Sequence, residues 1–199
     1  MTAPITIRPA IKADATEVAL LVNIATHGGV GMGWRNDARA EGTYDPAEVG
    51  RLDMLDESSD LNWRNAYMAE SDGEIVGMVL GYPEPDVMPP MPPVPRAATF
   101  LRPIVELEWL AGGKWFLSML AVHTTWRGKG IGGKLIALAE EKRAETGRSG
   151  LALIVEDKNT GARQLYERDG FSVAAARPMQ QYPDGTQPGK DWLLMVKDI

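Results

Sequence analysis

The spacing of apolar positions changes along the chain, and each change marks an expected element. Ile5 and Ile7 alternate with Thr6 and Arg8 as on a short strand, which Pro9 closes. Asp14 with Glu17 three residues on has the form of a capping box, and Val18, Leu21 and Val22 give the next helix an apolar face to about Ala25. From His27 to Trp34 the chain is too rich in glycine for regular structure and is expected to be a mobile loop. Asp45, Pro46 and Glu48 open a second helix running toward Leu55. Residues 66–70 and 75–82 flank Ser71, Asp72, Gly73 and Glu74, which predicts two strands joined by a tight Asp-Gly hairpin.

The second half begins with a break. From Tyr82 to Pro103 prolines remove N–H donors and fix φ, so an extended loop or lid is expected as an insertion at about residues 83–103. Pro89 with Pro92, and Pro92 with Pro95, also fit PxxP, a form that peptide-binding domains recognise. Residues 104–110 resume an alternating pattern read as a strand, followed by a turn at Gly112 and Gly113. Trp115 to Val122 reads as a buried strand, the glycines from Gly128 to Gly133 as a loop, and Ile131, Leu135 and Leu138 as the face of a helix ending near Gly147. Continuous apolar residues from Leu151 to Val155 suggest a strand covered on both faces. Asn159 opens a short helix stopped by Gly170, and strands follow at residues 171–176 and 192–196.

Composition narrows the chemistry. A length of 199 residues suits one domain with a sizeable core. No cysteine is present, which excludes disulfides, cysteine metal sites and a cysteine nucleophile. The two histidines, His27 and His123, lack zinc-site spacing, so no metal is expected. A net charge of -6 argues against a nucleic-acid partner and suits a cationic or amine-bearing one. No apolar stretch reaches the roughly 20 residues of a membrane span, and the first ten residues hold no apolar signal core, so a cytoplasmic protein without a membrane partner is expected.

The order strand, glycine loop, helix from Trp115 to Leu138 points to a phosphate cradle. The first N–H groups of a helix lack intrahelical partners and carry the positive end of its dipole, while glycines let backbone approach an anion. Arg127, Lys129 and Lys134 add local positive charge. Three patterns fit. Gly128, Gly130 and Gly133 satisfy GxGxxG, but residues 123–127 intervene after the strand and no second βαβ half remains. Gly128 to Lys134 fits GxxxxGK, but Leu135 stands where a P-loop needs Ser or Thr. Arg127, Gly130 and Gly132 satisfy Arg-x-x-Gly-x-Gly after a strand ending Leu-Ala-Val, and this reading uses every residue present.

That third pattern, MLAVHTTWRGKGIGGKL, followed by LALIVEDKNTGARQLYERDGF, resembles the coenzyme A binding motifs of the GNAT superfamily of N-acetyltransferases, and the likeness runs from Ile5 to Lys197. It implies an α/β (α+β) fold with a central mixed, mostly antiparallel sheet flanked by helices, splayed at the cofactor site. It further implies acetyl-coenzyme A as cofactor, its pyrophosphate on the backbone of Arg127, Gly128, Lys129, Gly130, Ile131 and Gly132. Its pantetheine arm would pair with the strand edge at Leu120, Ala121 and Val122. By the same resemblance Asn159 holds the pantetheine region and Tyr166 stands by the sulfur. If Asn159 caps its helix, Ala162 and Tyr166 fall on the same side.

A thiolate leaving group needs a proton donor, which a phenol can supply, so Tyr166 is the candidate acid. Ser118 stands where many relatives carry a carboxylate, which leaves Glu108 and Glu156 as candidate bases. Trp34, Tyr82, Met88 and Met91 are candidates for an apolar wall of the acceptor pocket, with Glu84, Asp86, Glu106 and Glu108 to attract an ammonium group, and Ser118 is a further candidate substrate-binding residue. The other reading of these loops is that they cover the sheet or form a homodimer contact. The expected activity is acetyl transfer to a primary amine of a small molecule or peptide; the alternative is a non-catalytic acyl-coenzyme A sensor.

Overall fold

Alternation at the N-terminus becomes strand β1 (Thr6–Pro9) in the computed structural model, which describes residues 4–40, 42, 45–94, 96–187 and 189–199. The chain divides into two units, one formed by Met1–Tyr82 and Ser118–Leu138, the other by Pro83–Leu117 and Ala139–Ile199.

In the first unit, helix α1 (Ala15–Ala25) buries Val18, Leu21 and Val22, as its spacing requires. The capping box does not form. The Asp14 carboxylate instead accepts from Arg8 at 2.6 Å and from the Ile11 N–H at 2.7 Å, and Arg8 holds its carboxyl below the ordinary range. Glu17 meets His123 Nε2 at 2.9 Å.

The loop expected from His27 to Trp34 is overturned: helix α2 runs over Gly29–Ala40. Each glycine in a helix costs up to about 1 kcal/mol relative to alanine, so tertiary contacts must compensate. Gly31 lies against the Asn23 side chain, with no space for a Cβ, and donates its N–H to Asn23 Oδ1 at 3.0 Å. Trp34 is buried, donates its indole N–H to Asp53 at 2.6 Å and lies over Gly50, where an added Cβ would come within 2.8 Å of the ring. Gly50 belongs to α3 (Pro46–Leu55), whose cap is as expected: Asp45 accepts from the Ala47 and Glu48 N–H groups.

Strand β2 (Ala66–Ser71) pairs antiparallel with β1, and turns through Asp72 (φ 52°) and Gly73 (φ 79°) into β3 (Glu74–Pro83). Two successive left-handed residues fit the right-handed twist of a hairpin. Met68, Met78 and Leu80 join Met54 and the α1 residues in one core.

In the second unit, residues 84–94 have no regular structure, as expected, but Arg96–Leu101 is a 3-10 helix, so the extended loop expected through Pro103 is overturned in its second part; Pro95, part of one PxxP match, lies outside the described residues. The segment is anchored through its carbonyls. Arg148 donates to the Glu84 carbonyl at 2.9 Å, the Gly113 N–H to that of Pro85 at 2.9 Å, and the Trp109 indole to that of Pro89 at 2.8 Å. Arg148 also pairs with the Asp86 carboxylate at 2.8 Å.

The strand expected at residues 104–110 is likewise overturned: helix α4 spans Arg102–Glu108 and continues as a 3-10 turn to Ala111. Pro103, Leu107 and Ala111 are the buried positions, spaced four apart, and a proline in the first helical turn forfeits no hydrogen bond. Glu108 therefore closes a helix and does not lie on a strand.

Strand β4 (Trp115–Val122) leads to α5 (Ile131–Glu145), then β5 (Gly150–Glu156), α6 (Thr160–Arg168), β6 (Ser172–Pro178) and β7 (Asp191–Asp198). The seven strands form one sheet in the order β1-β2-β3-β4-β5-β7-β6. Its β4–β5 ladder is parallel, at Trp115↔Leu151 and Phe116↔Ala152, while β5–β7 and β6–β7 are antiparallel. Mixed and mostly antiparallel is thus what the chain forms. No helix among the described residues is long and apolar enough to cross a membrane.

Gly77 of β3 packs so closely on β4 that an added Cβ would lie 2.7 Å from the Ala121 carbonyl oxygen, a backbone atom with little room to yield. Gly77→Ala is expected to cost about 1–3 kcal/mol in urea denaturation. Gly33→Ala, whose Cβ meets nothing within 4 Å on a helix, is expected to stabilise by about 0.5–1 kcal/mol in the same measurement.

Candidate functional site

In the first unit, β4 ends at Val122, a 3-10 turn covers Thr124–Trp126, and the chain passes through residues 127–130 into α5. Gly128 and Gly130 have φ of 76° and 78°, left-handed values that any side chain would strain. A Cβ at Gly128, Gly130 or Gly133 would meet nothing within 4 Å, so the backbone here faces open space. The first bond into the helix runs from the Lys134 N–H to the Gly130 carbonyl at 3.3 Å, and the N–H groups of Gly128, Lys129 and Gly130 find no backbone acceptor among the described residues. Backbone N–H groups without backbone acceptors, ahead of a 15-residue helix, form a concavity of the kind that suits an anion.

Its cations are positioned from within the unit. Arg127 donates Nε to the Val122 carbonyl at 3.1 Å, which folds its side chain back on the strand. Lys129 Nζ sits 4.1 Å from the centre of the Trp126 ring. Lys134 is exposed, and Ile131 is buried beneath the helix start. Of the strand residues, Ala121 is buried and Ser118, Leu120 and Val122 are half-buried.

The second unit carries the expected short helix. Asn159 caps α6 by accepting the Ala162 N–H at 3.3 Å, and its amide lies 3.5 Å from Glu156 Oε2 at the end of β5. Tyr166, two turns along α6, is only 7% exposed and packs against Phe171 with ring centres 5.8 Å apart. Its hydroxyl makes no hydrogen bond to a described residue. Burial, and then the negative charge of Glu156, push its phenol well up, so it stays protonated through neutral pH.

The residues expected to meet the acceptor are drawn from both units. Trp34 is a core residue of α2 and α3, Tyr82 packs against the same core, and Ser118 lies on β4, all in the first unit. Glu84 is buried in the second unit, beside Arg148; Glu108, Asn159, Ala162 and Tyr166 belong to that unit too. Two features went unread in the sequence. The His123–Glu17 contact opens on a groove of about 600 Å³ that Glu74, Thr124 and Thr125 also line. Tyr182 feels the charge of Glu156, and only the Pro183-Asp184-Gly185 turn signal beside it marked the place.

Comparison with known proteins adds the following. The model of the acetyltransferase (GNAT) family matches residues 34–171, more than half of the chain. A crystal structure described as an acetyltransferase shares 22% identity at a TM-score of 0.65, covering 98% of this chain and 99% of that one. An N-acetyltransferase from Staphylococcus aureus Mu50 shares 15% at 0.62, covering 96% and 99%. The NatC complex bound to Gag peptide and CoA shares 16% at 0.56, covering 98% of each chain. At these identities the likeness is one of fold. No curated protein matches the sequence.

The Asn159 cap gives a direct test of local design. Asn159→Ala is expected to lower stability by about 1 kcal/mol in chemical denaturation, whereas Asn159→Asp, which keeps the acceptor oxygen, should lose far less.

Proposed function

The chain belongs to the acetyltransferase (GNAT) family, and we propose that it transfers an acetyl group from acetyl-coenzyme A directly to a primary amine of a small molecule or peptide. The family uses acetyl-coenzyme A as its donor. The observation that carries the reading is the open cradle at residues 128–130, whose glycine φ values and unpartnered N–H groups suit a pyrophosphate.

Arg127 to Gly132 would hold that pyrophosphate, with Lys129 and Lys134 offsetting the acidity of the chain as a whole. The backbone of Leu120, Ala121 and Val122 in the same unit would hold the pantetheine arm. When bound, acetyl-coenzyme A supplies the acetyl group as an activated thioester. Tyr166 keeps a proton on its phenol oxygen across neutral pH, the form a general acid for a thiolate must have. With no cysteine in the chain, direct transfer by proximity accounts for the rate without a thioester on the protein.

A thermal-shift comparison of acetyl-coenzyme A, NADH and MgATP tests the cradle; a ligand at about 100 times its Kd adds ~2.7 kcal/mol. Stabilisation by acetyl-coenzyme A alone is expected, and stabilisation by a nucleotide alone would overturn the reading. Free-thiol release over an amine panel tests turnover, and binding without any release would instead make the protein a sensor. Tyr166→Phe is expected to lower kcat by about 10²-fold with little change in the Kd of acetyl-coenzyme A. Unchanged turnover would remove Tyr166 from the acid role.

A further inference from the structure

The cations around the cradle differ from others in the chain in what holds them. Arg8 pairs with Asp14 at 2.6 Å, Arg148 with Asp86 at 2.8 Å and Arg177 with Glu106 at 3.1 Å. Arg127, Lys129 and Lys134 pair with no carboxylate among the described residues, although the chain carries a net charge of -6. Arg127 is tied to a backbone carbonyl, that of Val122, and Lys129 Nζ lies over the Trp126 ring, 4.1 Å from its centre.

That ring contact decides where the Lys129 charge rests. Lysine carries its ammonium on a four-carbon stem with much rotamer freedom, and Lys129 is exposed, so without a partner the charge would spread over many positions. A cation over an indole is attracted by the negative face of the ring, and tryptophan is the best of the aromatic side chains for this.

Trp126 can serve because it is itself fixed. It is half-buried, it ends the 3-10 turn Thr124–Trp126, and its backbone N–H donates to the His123 carbonyl at 2.8 Å. The Arg127 N–H closes the next bond, to the Thr124 carbonyl at 3.3 Å. Between ring and lysine lies Gly128 at φ 76°, so the left-handed turn that opens the loop also brings residue 129 back over residue 126. The Lys129 N–H is one of those without a backbone acceptor, so the ammonium held on Trp126 belongs to the middle of the concavity.

We propose that Trp126 is a positioning residue for the donor: its ring holds the Lys129 ammonium beside the loop in the free protein, ready for the diphosphate of coenzyme A. This rests on the donor reading above. The ring acts on the cation and the cation on the anion, and the gain is preorganisation, since the lysine is ordered before the ligand arrives.

The test measures Kd by calorimetry on the whole chain for coenzyme A and for dephospho-coenzyme A, which keeps the diphosphate and lacks the ribose 3′-phosphate. Trp126→Leu is expected to raise both Kd values by about 2- to 5-fold, the fold-change that corresponds to a cation–π contact at an exposed site. Trp126→Phe, which keeps a ring, should stay within about twofold of the wild type. Lys129→Met should raise both Kd values at least as much as Trp126→Leu, and adding Trp126→Leu to it should change nothing further, the coupling that a double-mutant cycle reads. Trp126→Met, whose flexible side chain refills the half-buried site, repeats the measurement if Trp126→Leu lowers the urea midpoint. Wild-type affinity in the Leu variant overturns the proposal. So does an equal loss with and without Lys129, which would put the ring itself on the ligand, or a loss for coenzyme A but not for dephospho-coenzyme A, which would put the ammonium on the ribose phosphate. Loss of folding in both the Leu and Met variants would make Trp126 structural and overturns it too. A wild-type chain that binds neither ligand overturns the donor reading itself, a result distinct from these.

Discussion

A backbone N–H with no acceptor has to face water or an anion, and the organisation of the first unit follows from keeping three of them open in a row. Residues 128–130 can hold that shape because two of them are glycines at positive φ and because Ile131, buried directly behind, fixes where α5 begins. The strand feeding the loop is fixed in turn by Gly77, whose missing side chain lets β3 approach the Ala121 carbonyl. Arg127 folds onto Val122 and Lys129 onto Trp126, so positive charge stays beside the loop without filling it.

Where local chemistry decides the conformation, the sequence was a sufficient guide. Asp72-Gly73 demands a left-handed pair, Asp45-Pro46 a helix start, and Asn159 a cap, and each appears in place. The misread elements are those that tertiary contacts decide. In α2 the glycines argue against a helix until Asn23, Gly50 and Asp53 are known to receive Gly31 and Trp34. In α4 the run after Pro103 satisfies both periods, and only the burial of Leu107 and Ala111 separates them. Asp14 and Glu17 match a capping box at the level of spacing, yet Arg8 and His123 claim their carboxylates, partners far off in the chain or across an element.

Backbone conformation at the candidate site was legible to the same degree. Glycine and asparagine report backbone conformation directly, at Gly128, Gly130 and the Asn159 cap. Side-chain surroundings depended on which residues share an environment, and the ring contact of Phe100 with Tyr182, 82 positions apart, leaves no periodic trace. Trp34 shows the opposite error: an aromatic in a glycine-rich stretch suggests a binding wall, but its indole serves the helix packing of the first unit.

The proline-rich segment accepts hydrogen bonds more readily than it donates them, since five of the eleven residues from 84 to 94 are prolines without an N–H. Glu84, Pro85 and Pro89 accordingly take bonds from Arg148, Gly113 and Trp109, residues remote in sequence from the prolines themselves. Control of the segment is therefore written outside it. Its other residues can drift as long as those carbonyls and the Asp86 carboxylate keep their places, whereas the loss of the Arg148 guanidinium alone would remove the bonds to both Glu84 and Asp86.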